Sequence, residues 1–219
     1  MLVLASIFWA GNFIIGKFAF VESISPFSLV FFRWLTVWFI LLPFTYKEIL
    51  SKKKEILNSL PLLLFLGLAS VGSFNSFVYI SLQYTQVINA SLFNTAIPAA
   101  IILSCFIFKI EKTNFYQLLG LLISVLGILV IITKFNLDKL LNLNFNIGDI
   151  WMIGAVICWG LYSSFLKKLK LKISLLSFVH IVCSFGLIFL LPQFGYEYFQ
   201  DNAATIDKTF IYCLIYLAL

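Results

Sequence analysis

The sequence predicts an all-α polytopic membrane protein, an inverted five-plus-five helix repeat that is truncated in its eighth helix. Three observations predict it. The chain is 62% hydrophobic and 11% charged, with 25 phenylalanines in 219 residues, more apolar surface than one soluble core of this size can use. Its apolar residues fall in runs of about 20, the length at which a helix crosses a hydrocarbon layer of roughly 30 Å. The second half also repeats the order of the first. A membrane β-barrel is excluded, because the run Leu118 to Thr133 lacks the alternation of a barrel strand. Lipid offers the backbone no partner, so such runs must be helical.

The predicted spans are 2–20, 27–45, 60–82, 87–108, 115–133, 149–166 and 173–194, followed by an eighth beginning near Thr209. The first is read as a membrane helix and not a cleaved signal, since only Met1 precedes the apolar run and Glu22 to Pro26 is a poor cleavage site. The second carries Arg33; the third carries Asn75 and Tyr79, four apart and so on one face. The fourth carries a polar stripe of Ser91, Asn94 and Thr95 that ends at Pro98. Gly120 and Gly127 in the fifth are expected to allow close helix contact. The sixth carries Trp159 and Tyr162, and the seventh holds the sole histidine, His180, read as a satisfied core group. The eighth has 11 residues from Thr209 to Leu219, half a crossing, so the sequence is expected to be a fragment cut inside a helix.

Charge placement orients the bundle. With a cytoplasmic N-terminus, ten lysines (Lys47, Lys52, Lys53, Lys54, Lys109, Lys112, Lys167, Lys168, Lys170 and Lys172) fall in inward loops, and three (Lys134, Lys139 and Lys208) fall in outward loops. That is the positive-inside bias. The net charge of +6 is therefore a topology signal and does not indicate a nucleic-acid partner, because the lysines lie in short loops. Cys105, Cys158, Cys183 and Cys213 all lie in apolar spans without paired spacing, and read as small core residues.

The repeat is carried by two alignments. Ile7 to Phe18 over Ile157 to Lys168 sets Trp9 on Trp159 and Lys17 on Lys167. Ile24 to Phe44 over Ile173 to Gln193 sets Ile24, Ser25, Ser28, Val30, Leu41, Leu42 and Pro43 on identical residues. The period covers five helices. An odd number inverts the second copy across the membrane, the architecture of carriers that alternate between inward-open and outward-open states. The copies divide the chain into residues 1–147 and 148–219, and the incomplete second copy predicts about 65 further residues and ten helices in all.

Trp9-Ala10-Gly11-Asn12-Phe13 with Lys17, then Ser25-Pro26 and Arg33, resembles the first two helices of the EamA family in the drug/metabolite transporter superfamily. Ser81 to Leu92, Pro98, Glu111, Gln117 with Gly120 and Gly127, and Gly148-Asp149 before Trp159 fit the same pattern, so the resemblance covers the whole chain. Leu175-Leu176 departs from it where the first copy has Pro26-Phe27. The resemblance implies a ten-helix bundle around a central substrate cavity, in the inner membrane if the organism is bacterial.

The candidate pathway residues are Trp9, Asn12, Lys17, Arg33, Asn75, Tyr79, Asn94, Trp159 and Tyr162, with Pro98 as a hinge or gate. Arg33 is the strongest. It lies about 10 Å below the outer surface, where a charge facing lipid is costly and marks a pathway or an internal pair. Its repeat counterpart is Val182, an asymmetry that favours the cavity over a shared scaffold role. Two readings stand for Asn12: an amide offered to a polar substrate, or a hydrogen bond to a neighbouring helix. Lys17 either joins the pathway or snorkels to the headgroups. Asn75, Tyr79, Asn94 and Tyr162 are cavity groups or helix-packing glue, and Pro98 frees a carbonyl that only a neighbour or a cavity can satisfy.

The function these residues predict is a secondary transporter of small polar metabolites, among them amino acids and nucleotide-like compounds. The embedded cations favour a carboxylate or phosphate on the substrate. No carboxylate is predicted at membrane depth, so ion coupling either uses further helices or is absent from a facilitator or exchanger. One histidine and no buried acid leave an intramembrane enzyme almost nothing to build on, and no cofactor is expected. A non-transporting membrane scaffold remains the rival class, although it provides no reason for an inverted repeat.

Overall fold

The computed structural model describes residues 2–112, 114–133, 146–200 and 206–218. Every regular element among them is helical. Helix α1 (Leu2–Val21) turns through Ser23, at φ 61°, into α2 (Pro26–Ser51), which begins on a proline whose missing N–H the first helical turn does not need. A six-residue helix, Lys53–Asn58, leads into α3 (Leu60–Tyr84). Then come α4 (Val87–Ile107), α5 (Phe115–Thr133), α6 (Ile147–Leu166), α7 (Leu175–Phe199) and α8 (Lys208–Ala218).

Of these, α2, α3, α4, α6 and α7 are long and apolar enough to cross a membrane, while Ile7–Val21, Phe115–Ser124 and Lys208–Ala218 are shorter apolar stretches among the described residues. Helices α1 and α5 run for 20 and 19 residues over the predicted first and fifth spans. Three details differ from expectation. Helices α2 and α7 continue through Pro43 and Pro192, beyond the predicted ends, because both go on into half-polar sequence that keeps helical bonding outside an apolar layer. Helix α3 widens into a π-helical turn at Leu68–Phe74. Helix α4 is two segments, Val87–Asn94 and Ile97–Ile107, and Pro98 opens the second one instead of interrupting a continuous helix.

Helix α7 lies antiparallel along α2 in an extensive pairing. Glu197, buried near the end of α7, accepts hydrogen bonds from Ser25 Oγ at 2.5 Å and from the backbone N–H of Phe27 and Ser28 at 3.2 and 2.9 Å. At the other end Glu48 of α2 accepts from Ser174 N–H at 2.9 Å, Ser174 Oγ at 2.5 Å and Ser177 Oγ at 2.6 Å. Each carboxylate thus caps the amino end of the other helix, where free N–H groups and the helix dipole favour negative charge. In the register that sets Ile24-Ser25 on Ile173-Ser174, the two caps are counterparts. The same register relates the hydrogen bond between Thr45 and His180 to the stack of Phe194 on Phe31, 4.6 Å between centroids. Cys183 Sγ meets the carbonyl of its own counterpart, Trp34, at 3.2 Å.

Small residues set the other crossings. A Cβ on Gly186 would stand 2.3 Å from Val71 Cβ, and one on Gly67 would stand 2.9 Å from Gly186 N, so α3 meets α7 almost backbone to backbone at the π turn. Gly148 brings the start of α6 to the end of α3 in the same way, with Ser81 O 2.8 Å from its Cβ position. Gly120 and Gly127 do not serve the predicted close contact: nothing among the described residues lies within 4 Å of either Cβ position, because α5 turns exposed apolar side chains outward. His180 is buried between Thr45 and the edge of Trp38, a satisfied core position.

Candidate functional site

A cavity of about 490 Å³ opens between α1, α2, the π turn of α3, α6, α7 and α8, within the roughly 300–1,000 Å³ usual for small-molecule sites. Its polar centre is Arg33. Nη1 donates to Asn12 Oδ1 at 3.0 Å, to Tyr79 Oη at 2.9 Å and, more weakly, to Asn75 Oδ1 at 3.3 Å. Tyr79 Oη in turn donates to Asn12 Oδ1 at 2.7 Å, and Asn75 Nδ2 donates to Ser70 O at 3.0 Å across the π turn. The second, third and first spans each contribute to one network that holds the guanidinium in place. None of its acceptors is charged, and the ion pairs among the described residues, Lys52 with Glu55 and Lys167 with Glu111, lie elsewhere.

The walls are aromatic. Trp9 meets Trp159 edge to face with centroids 5.8 Å apart, and Trp159 also contacts Phe74 at 4.6 Å and Tyr162 at 5.2 Å. In the alignment of the two halves of the sequence Trp9 falls on Trp159 and Asn12 on Tyr162, and Val182, which falls on Arg33, also lines the cavity.

The sequence profile of the EamA-like transporter family matches residues 1–133 and 146–219. The chain belongs to that family. It is 29% identical over 223 residues to an uncharacterized transporter of Archaeoglobus fulgidus, covering 100% of this chain and 74% of that one. It is 29% identical over 166 residues to the uncharacterized transporter YyaM of Bacillus subtilis, covering 74% and 53% of the two chains. An uncharacterized transporter of Haemophilus influenzae is 31% identical over 134 residues, 58% of this chain and 43% of its own. The chain thus spans about three quarters of the first relative and about half of the other two. No solved structure matches. Family membership and the apolar helices make this an integral membrane protein of a transporter family, and the relatives' names point to transport and not to enzymatic activity.

Within this EamA-like chain the cavity brings together Trp9, Asn12, Arg33, Asn75, Trp159 and Tyr162, and Tyr79 touches it through Arg33. Besides Tyr79, three sequence candidates lie outside its lining. Lys17 Nζ donates to Leu82 O at 2.7 Å and Thr85 O at 3.1 Å, capping the carboxyl end of α3, where the dipole favours a cation. Its counterpart Lys167 caps α6 and pairs with Glu111 at 2.5 Å, a hydrogen bond that holds its pKa above the ordinary lysine value. Asn94 ends the first segment of α4 with its buried Oδ1 unpartnered among the described residues, and Pro98 is exposed on the second. Trp34, Ser70 and Phe74 line the cavity unforeseen. Trp34 and Val37 do extend the helical stripe from Arg33 at one and four residues, a pattern that could have flagged them.

Proposed function

We propose that the chain acts in a secondary carrier that moves small metabolites bearing a carboxylate or phosphate across a membrane by alternating access. The single observation that carries this reading is Arg33: a guanidinium fixed by Asn12, Asn75 and Tyr79, without a carboxylate partner among the described residues, at an aromatic-walled cavity. A half-buried cation held by neutral acceptors leaves its charge to be met by something that enters. Alternating access rests on the inverted repeat, with residues 1–147 as the first copy and 148–219 as part of the second. The reciprocal carboxylate caps of α2 and α7, formed by residues in repeat register, support it, as does the contact of Trp9 with Trp159. Lysine placement supports a cytoplasmic N-terminus, in an inner membrane if the host is bacterial.

Counterflow in liposomes carrying the full-length protein tests this. Preloaded metabolite pools should drive uptake of at least one labelled anion, and Arg33→Gln should lower that flux at least about tenfold, the loss of one charge-assisted bond, with membrane insertion intact. Flux unchanged in that variant would remove Arg33 from the pathway. No exchange for any pool would favour a scaffold.

A further inference from the structure

The connection from α6 to α7 is a strap with a pattern of its own. From Lys168 to Ile173 burial alternates: Leu169, Leu171 and Ile173 pack against the core, while Lys168, Lys170 and Lys172 stand exposed. A period of two is that of extended chain, so the three lysines share the side away from the core. Both ends are tied down. Lys167 pairs with Glu111 at 2.5 Å, and Ser174 donates to Glu48 through its N–H at 2.9 Å and its Oγ at 2.5 Å.

Those ties leave the lysines of the strap uncompensated. Glu111 is taken by Lys167, Glu48 by Ser174 and Ser177, and Glu55 by Lys52 at 2.8 Å, so each carboxylate described at this end of the bundle is engaged. Lys168 Nζ lies 4.8 Å from the Phe165 ring centroid, and Lys170 and Lys172 have no partner among the described residues. An excess of lysine in loops is by itself a topology signal. Cations lined up on a strap that is fixed at both ends and along its inner side are also a preformed surface for an anion.

Apolar side chains adjoin these cations. Leu175 and Leu176, the pair that departs from Pro26-Phe27 of the first copy, directly follow the strap and are 75% and 51% exposed. Ile107 and Phe108 end α4 beside Phe165 and are exposed as well. A soluble polyanion would match the lysines and leave these side chains in water. A lipid matches both, with its phosphate at the ammonium groups and its acyl chains at the leucines.

We infer that the α6–α7 strap binds the phosphate headgroup of an anionic phospholipid through Lys168, Lys170 and Lys172, with Leu175 and Leu176 against its acyl chains. Such a site requires only that the helices lie in a bilayer, so it stands or falls apart from the carrier reading.

Native mass spectrometry of the purified full-length protein, titrated in detergent with phosphatidylglycerol or phosphatidylcholine of the same acyl chains, reads this directly. The first phosphatidylglycerol should bind at least about fivefold tighter than phosphatidylcholine, the worth of about one lysine at an anionic surface. Lys168→Gln, Lys170→Gln and Lys172→Gln together should bring the two lipids within about twofold of each other. Arginine at the same three positions keeps the charge and should keep the preference. Lys47→Gln, Lys53→Gln and Lys54→Gln together remove as much charge from the same end but off the strap, and should leave most of the preference. Glycerol phosphate, a headgroup phosphate without acyl chains, should displace no bound lipid even in large excess. Absence of a preference in the native protein, its loss in the arginine variant, equal losses in the two glutamine variants, or displacement by glycerol phosphate would each overturn the inference. Equal losses would mean diffuse charge, and displacement would mean a site for a soluble anion.

Discussion

One nitrogen of Arg33 faces three oxygens, and Tyr79 Oη is the one that also relays to Asn12. Removing that hydroxyl takes one acceptor from Arg33 and one donor from Asn12. Tyr79→Phe should destabilise the detergent-solubilised protein by about 1–3 kcal/mol, read by thermal unfolding, because it strands buried polar partners, and should lower substrate affinity as well. Lys17→Met is expected to behave differently. Its ammonium holds the last carbonyls of α3, so stability should fall by about 1–2 kcal/mol with affinity unchanged. An affinity loss without a stability loss would return Lys17 to the pathway. Four cavity residues were legible for one physical reason: Asn12, Arg33 and Asn75, with Tyr162, are polar groups in apolar spans, where each needs a partner or a ligand. Lys17 carried the same signal, and only its position at a span end distinguished it. Trp34 was legible only through its place in the helical stripe beside Arg33, since tryptophan suits any apolar span.

Helix register was readable where hydrophobicity sets it and unreadable where single contacts do. The spans followed from apolar run length, but the π turn of α3, the broken α4 and the continuations through Pro43 and Pro192 depend on what packs against them. The glycines show the same division. Gly186→Ala would push a methyl into Val71 at the π turn and should cost about 1–3 kcal/mol, whereas Gly120→Ala or Gly127→Ala, with open space around the new methyl, should stabilise α5 by up to about 1 kcal/mol. Chemical or thermal unfolding in detergent separates the two classes, and equal penalties at all three sites would mean that α5 is packed in the whole protein. The carboxylate caps allow a sharper comparison. Glu48→Gln and Glu197→Gln each keep an acceptor and lose the charge at a helix amino end, so each should lower the thermal unfolding midpoint. They lie at opposite ends of the α2–α7 pair, so their effects should add in the double variant. A coupling between them would show that the two ends open together.

For the whole molecule, the caps bear on how a carrier of this shape would move. If a pseudo-two-fold relates the copies, exchange of the two states exchanges the caps with each other, so the α2–α7 pair can keep both while other helices tilt about it. The movable parts would then be those without such ties, namely α3 at its π turn and α4 at its break, which together could expose the Arg33 cavity first on one face and then on the other. Val179 lines that cavity from α7. In a variant with the four native cysteines replaced by alanine, Val179→Cys should react with a membrane-impermeant maleimide in right-side-out vesicles and also in inside-out vesicles, at rates that differ by the ratio of the two open populations. A saturating transported anion should slow both reactions. Reaction from one face alone, under every condition, would reduce the cavity to a one-sided crevice, and the case for alternating access would fail even if Arg33 bound its anion.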